Sequence, residues 1–209
     1  MKIYDWHIAP NPRRLHIYLA EKGIKVDLVE VGGEDFKLRP DYVAKYPHAM
    51  VPMLELDDGT LIGEAMAIAR YFEELYPEPP MMGVDAKDKA IVEMWEKRAN
   101  EEGMLAASEL FRNTHPAFAE RGLPGSAQAI PRIPALVDRA KARLDRFFDK
   151  FDAQLAHNEF VAGKRYTIAD ATTLCGIDFA KWTDVEIPPH CRNLRRWYDA
   201  VSARPSAKA

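Results

Sequence analysis

Two short stretches of the sequence carry residues suited to binding a small zwitterionic ligand. Val51 precedes Pro52. A proline at the start of a strand gives no hydrogen bond to the sheet and readily takes the cis form. The N–H and C=O of Val51 would then remain free to pair with an extended peptide. Shortly after, Glu64 and Ala65 open a helical pattern, whose free N–H groups suit a carboxylate, while the acid suits an ammonium group. A plain turn proline and a helix-dipole acid are the structural alternatives.

The loop at residues 9–12 is the second place where chemistry is expected. The Asn11 amide could donate to a thiolate near the start of the following helix, where the helix dipole lowers the pKa of a thiol. The same residue is also a good N-cap, with Pro12 as the first helical residue. Both interpretations stay open, because a capping residue can also contact a ligand.

Composition excludes several other classes of protein. The 209 residues are 47% hydrophobic and 29% charged, which is typical of a folded globular chain. The net charge of -3 leaves no surplus of positive charge to bind the phosphates of nucleic acid. Cys175 and Cys191 are too few for a disulfide framework, and no two histidines have metal-ligand spacing, so no metal is expected. No apolar run reaches the ~18 residues that span a bilayer. We therefore expect a cytoplasmic protein without a membrane partner.

The first half of the chain alternates between strands and helices. The expected elements are a strand at 2–5, a helix at 13–22 and a second strand within 24–31. Asp58 and Gly59 then indicate a tight hairpin between two antiparallel strands. An apolar stripe over residues 64–76 predicts a helix that closes this half.

The second half has only helical periodicity. Prolines at positions 77, 79 and 80 indicate a linker. Helices are expected at about 85–114, at 136–155 and at 192–203, and another follows the capping box of Thr167 and Asp170, which serves folding. The predicted division is a first domain at 1–77, a linker at 78–86 and an all-α domain at 87–209.

Six motifs follow one another in a specific order: APNPRR at 9–14, AEKGI at 20–24, YPHAMVP at 46–52, DDGT at 57–60, EAMAIARYF at 64–72 and TIAD at 167–170. Together they resemble the cytosolic glutathione S-transferase family, in particular its bacterial theta- and nu-like members. The resemblance implies an α/β thioredoxin-like N-terminal domain that binds glutathione, followed by an all-α helical-bundle C-terminal domain. It also implies a homodimer, with glutathione as co-substrate and no other cofactor.

Site residues follow from the same resemblance. Asn11 is the expected donor to the thiolate. The residues expected at glutathione are Lys37, Met50, Val51, Pro52, Glu64 and Ala65. The residues expected around a hydrophobic second substrate are His7, Ile8, Phe111 and His115.

Two positions depart from the family pattern. Ala65 stands where serine is usual, and Ala9 stands where many members have serine, threonine or cysteine. The expected function is conjugation of the glutathione thiolate to a small hydrophobic electrophile. The alternatives are a glutathione-dependent disulfide reductase and a non-catalytic ligand-binding member.

Overall fold

The first part of the chain forms a mixed sheet. The computed structural model describes residues 1–125 and 128–209. Its strands are β1 (Lys2–Asp5), β2 (Asp27–Glu30), β3 (Met53–Glu55) and β4 (Leu61–Gly63). Their order is β2-β1-β3-β4, with β1 and β2 parallel and β3 antiparallel to both of its neighbours. The predicted hairpin is confirmed: Gly59 adopts φ +85°, and the Leu56 N–H donates to the carbonyl of Thr60 across it at 2.9 Å.

Three helices accompany this sheet: α1 (Pro10–Glu21), α2 (Pro40–Lys45) and α3 (Ala65–Leu75). Alternation along β1 sends successive side chains to opposite faces. Ile3 therefore joins the main core with α1 and α3, whereas Tyr4 joins a smaller cluster with Tyr42 of α2. Helix α2 is not among the expected elements; Pro40 occupies its first turn, where the N–H that proline lacks would have no helical acceptor.

The second strand is shorter than the 24–31 segment expected. Gly23 takes φ +66° after α1, and the Ile24 N–H donates to the carbonyl of Leu19 at 2.9 Å. This bond satisfies a carbonyl at the end of α1, so the beginning of the segment belongs to the helix-ending turn rather than to the sheet.

From residue 86 onward, all regular secondary structure in the described part of the chain is helical. These elements are α4 (Ala86–Arg98), α5 (Leu105–Thr114), α6 (Ala135–Leu155), α7 (Ile168–Ala180) and α8 (Arg192–Ser202). The single helix expected at 85–114 is instead interrupted by a π-helical segment, Ala99–Met104. Apolar periodicity tolerates such a local widening, so the sequence pattern does not reveal it. None of the described helices is long and apolar enough to cross a membrane.

The capping box at the start of α7 is confirmed and does more than cap. Asp170 is fully buried and accepts hydrogen bonds from the N–H and hydroxyl of Thr167. It also accepts from the Val161 N–H and from the Trp197 Nε1–H, each at 2.9 Å. One carboxylate thus joins the loop before α7 to α8.

Helix α1 connects the two parts of the protein, because it contacts both α3 and α7. Arg13 of α1 pairs with Asp178 of α7 at 2.8 Å. The start of α1, where Asn11 lies, is therefore held by both parts.

Candidate functional site

Three predicted binding segments meet at one end of the sheet. Met53 pairs with Gly63 across β3 and β4, so residues 52 and 64 leave the hairpin at the same end. Tyr4 pairs with Met53, which places the end of β1 and the loop to α1 beside them. The sheet register thus brings together the Val51 segment, the start of α3 and the segment that contains Asn11.

The backbone of Val51 is available to a ligand. The Val51–Pro52 peptide bond is cis, as expected, and Pro52 is buried. The Met50 carbonyl is already occupied, because it accepts from the Tyr42 hydroxyl at 2.6 Å. The N–H and C=O of Val51 make no hydrogen bond with any residue in the described ranges. They are free to pair with an extended chain.

The start of α3 offers an acid for an ammonium group and free N–H groups for a carboxylate, as expected from the sequence. Glu64 lies at the N-cap with φ +65°, a left-handed conformation that is unusual for a residue other than glycine. Its side chain is exposed and has no hydrogen-bond or ion-pair partner in the described part of the protein. The first helical bond runs from the Ile68 N–H to the Glu64 carbonyl, so the N–H groups of residues 65–67 have no helical acceptor. Ala65 is 2% exposed.

Asn11 has a different structural role from the expected one. Helix α1 begins at Pro10 with Ala9 as N-cap, and the Arg13 N–H donates to the Ala9 carbonyl at 3.0 Å. The prediction of Asn11 as N-cap and Pro12 as first helical residue is wrong, because Pro10 already supplies a residue without N–H for the first turn. Asn11 is half-buried, and its amide makes no hydrogen bond within the described residues. Its donors are therefore uncommitted.

A cavity of about 330 Å³ lies between the two parts of the protein. Its walls are Trp6, Ile8, Gly33, Asp35, Phe36, His115 and Ala117. Of the residues expected around a hydrophobic substrate, Ile8 and His115 line it directly. Trp6 and Phe36 were missed, although aromatic residues in loops beside the predicted site are a usable signal.

The remaining pocket candidates lie behind the cavity or away from it. Phe111 is 6% exposed and supports the wall, with its ring centre 4.9 Å from that of His115. The Nδ1 atom of His115 accepts from the Ala117 N–H at 3.2 Å, which leaves Nε2 as the protonated nitrogen of the neutral ring. His7 is not part of the cavity wall: its exposed ring pairs with Glu30 at 3.0 Å.

Lys37 is exposed and follows the short helical turn Glu34–Phe36. Its ammonium group has no partner among the described residues. It can meet a carboxylate at this edge of the site.

One group of side chains in the described part of the chain could hold a metal ion: Asp149, His190 and Cys191. It joins α6 to the start of α8 and shares no residue with the cavity. His190 Nε2 lies 2.8 Å from Asp149 Oδ1, and burial raises the pKa of the Cys191 thiol to about 11. The thiol is thus protonated at neutral pH and bonded within the group.

Comparisons with known proteins agree with this geometry. Residues 3–80 match the family model of the glutathione S-transferase N-terminal domain, and residues 117–205 match that of the C-terminal domain. Over 213 residues the chain is 35% identical to glutathione S-transferase 2 of Saccharomyces cerevisiae, covering all of this chain and 88% of that protein.

Solved structures give the same result. Gtt2 from Saccharomyces cerevisiae superposes with a TM-score of 0.87 at 33% identity, over 100% of this chain and 99% of that one. A glutathione S-transferase domain-containing protein from Marinobacter aquaeolei gives 0.85 at 38% identity, over 99% of both chains. The expected architecture of a thioredoxin-like domain followed by a helical domain is confirmed. The chain belongs to the glutathione S-transferase family.

Proposed function

We propose that this glutathione S-transferase adds the sulfur of glutathione to a small, flat, apolar electrophile. The observation that carries the proposal is the meeting of a free peptide backbone, a charge-matched helix start and an aromatic cavity at one end of the sheet. With an aryl halide, a C–S bond forms and the carbon–halogen bond breaks. The halide leaves, and the thiol proton passes to solvent.

Each end of glutathione has a matching group. The Val51 N–H and C=O pair with the cysteinyl unit, while Met50 and Pro52 flank it. Glu64 meets the γ-glutamyl ammonium, and the free N–H groups that begin with Ala65 hold the γ-glutamyl carboxylate. The exposed ammonium of Lys37 attracts the glycyl carboxylate.

Asn11 donates to the thiolate. An unperturbed thiol has a pKa of about 8.5, so only a few per cent is ionised at neutral pH. The positive end of α1 contributes about 0.3–1 kcal/mol, which is less than one pKa unit. A larger shift needs a direct hydrogen bond, and the uncommitted amide of Asn11 at the start of α1 supports that role.

We also propose a cytoplasmic homodimer that needs no cofactor besides glutathione, with domains at 1–77 and 87–209 joined by a linker at 78–86. The family and the exposed apolar side chains Leu75 (49%) and Met94 (40%) support the dimer. Light scattering at micromolar concentration is expected to give twice the chain mass of 23.7 kDa. A mass near the single-chain value would contradict the dimer and leave the glutathione site untouched.

Titration calorimetry with glutathione tests the binding site. Glu64→Gln removes the charge that meets the ammonium group, so we expect binding to weaken by roughly tenfold or more, in line with ~1.5–3 kcal/mol for a hydrogen bond to a charged group. Glu74→Gln, an exposed acid on the same helix, is the control and should bind like the native protein. No heat from the native protein up to millimolar glutathione would refute the site.

A substrate panel then separates the possible reactions. Turnover of aryl halides or isothiocyanates supports conjugation. Turnover of small disulfides alone would indicate a reductase, and binding without any turnover would indicate a ligand-binding role.

A further inference from the structure

The wall of the cavity is built from two separate parts of the chain. Phe36 comes from the turn Glu34–Phe36 beside the sheet, whereas His115 and Ala117 follow α5. The Phe36 ring centre lies 5.1 Å from that of His115 and 5.5 Å from that of Phe118. The width of the cavity therefore depends on how closely this turn is held against the helical domain.

The turn that carries Phe36 has an unfavourable backbone. Asp35 and Phe36 both adopt φ +53°. Left-handed conformations are costly for residues with a Cβ, and they persist only where surrounding contacts impose them. Within the turn, the Lys37 N–H donates to the Glu34 carbonyl and the Gly33 N–H donates to the Lys37 carbonyl. The carbonyls of residues 35 and 36 instead point to a partner outside the turn.

That partner is Arg121 in the helical domain. Its Nη1 donates to the Phe36 carbonyl at 2.8 Å, and its Nη2 donates to the carbonyls of Asp35 and Ala117, each at 2.7 Å. All three acceptors belong to residues that line the cavity. One guanidinium group thus bonds both sides of the wall, and we call these three hydrogen bonds the clasp.

We propose that Arg121 is a positioning residue that sets the width of the electrophile cavity by holding the Phe36 turn against the helical domain. This inference rests on the proposed function. Without the clasp, the strained turn relaxes and Phe36 moves away from His115. The cavity then admits larger ring systems and binds a single ring less tightly.

The surroundings of Arg121 fix its guanidinium plane. The group lies 4.8 Å from the ring centre of Phe118, and Arg112 stacks on the same ring at 4.7 Å. Arg112 Nη1 also donates to the Arg121 carbonyl at 3.0 Å. A planar, forked donor is needed to reach three carbonyls at once, and a lysine in this place offers only a point charge.

Hydrogen exchange measures the clasp independently of any reaction. In Arg121→Ala we expect the peptide that spans residues 32–38 to exchange at least about tenfold faster, because hydrogen bonds from a charged donor are lost. Arg121→Lys should recover only part of the protection. Arg132→Ala is the matched control: Arg132 bonds the Thr114 carbonyl within the helical domain and does not reach the turn. Unchanged exchange in Arg121→Ala would overturn the proposal.

Ligand selectivity measures the consequence for the cavity. We expect Arg121→Ala to shift the ratio of kcat/KM for a two-ring aryl halide over a one-ring aryl halide upward by about tenfold, mainly through the KM values of the two halides. Equal loss for both substrates would indicate a merely structural residue and overturn the proposal. If the native protein turns over neither halide, the proposed function fails. In that case the cavity is tested by binding alone. The ratio of the dissociation constants of a naphthalene sulfonate and a benzene sulfonate dye is compared between Arg121→Ala and the native protein, and it should shift in favour of the larger dye in the variant.

Discussion

Arg14 of α1 and Glu96 of α4 form an ion pair of 3.2 Å whose side chains are only 6% and 5% exposed. Asn100, in the π-helical segment, accepts from the same Arg14 nitrogen at 3.0 Å. Burial lowers the pKa of Arg14 and raises the pKa of Glu96, so each charge depends on the other. The pair joins α1, the helix at whose start the thiolate site is proposed, to the helical domain.

Removal of one partner from this pair is expected to destabilise the protein strongly. Glu96→Ala leaves the Arg14 guanidinium buried and uncompensated, which typically costs ~3–5 kcal/mol. Glu93→Ala, which breaks the exposed pair with Arg70, should change stability by less than about 1 kcal/mol. Urea unfolding of both variants measures the difference. Equal stability of the two variants would show that the buried pair is not important for the fold.

Much of the local structure around the candidate site was predictable because it depends on neighbouring residues in the sequence. The proline after Val51, the hairpin at Asp58 and Gly59, and the acid at the start of α3 each act within a few residues. The cavity could not be predicted in this way. Phe36 lies in its wall, and Arg121, 85 positions away in the chain, bonds the Phe36 carbonyl. A contact at that separation leaves no periodic trace in the sequence.

The prediction for Ala65→Ser is a gain in affinity. The hydroxyl restores the side chain that is usual in the family at the start of α3 and adds a donor to the γ-glutamyl carboxylate. We expect glutathione to bind about tenfold more tightly, because a hydrogen bond to a charged group contributes ~1.5–3 kcal/mol. Calorimetry measures the change, with Ala67→Ser on the exposed face of the same helix as control. Unchanged affinity in Ala65→Ser would place the carboxylate elsewhere.

Asp170→Ala tests the buried carboxylate at the start of α7. A cap alone contributes ~0.5–2 kcal/mol, but this change also leaves the Val161 and Trp197 donors unpaired in the core. We therefore expect a loss of about 3–5 kcal/mol in the free energy of unfolding, without a direct effect on glutathione. Trp197→Phe removes one of these donors and leaves a smaller ring in the core, while the other bonds of Asp170 remain, so its loss should be smaller. An intact melting temperature in Asp170→Ala would contradict this role.

The stability of the protein should depend on pH through Glu55. Hydrogen bonds from Tyr46, Tyr4 and Lys45 lower the pKa of this carboxyl from 4.5 to about 2. Because the folded pKa lies below the unfolded value, the stabilisation is complete above pH 4.5 and is lost as the pH falls through about 2. Glu55→Gln should lack this component. Chemical unfolding between pH 5 and 2 should show a smaller dependence in the variant than in the native protein, and parallel curves would rule out the linkage.

Asn11→Asp is the sharpest test of the thiolate site. Asn11 does not cap α1, so the substitution removes no bond of the folded protein, and an acid in the first turn is favourable to the helix dipole. The variant should fold normally. The new charge beside the sulfur disfavours the anion, so we expect the pKa of bound glutathione to rise by roughly one unit, a size typical for a neighbouring like charge. The pH profile of conjugation and the thiolate absorbance both report this pKa.

Asn158→Asp is the control. The Asn158 amide bonds the Gln154 carbonyl just beyond the end of α6, and the pH profile of this variant should match that of the native protein. If Asn11→Asp also keeps the native pKa and rate, then Asn11 does not contact the sulfur, and the backbone N–H groups of the loop become the donors to examine.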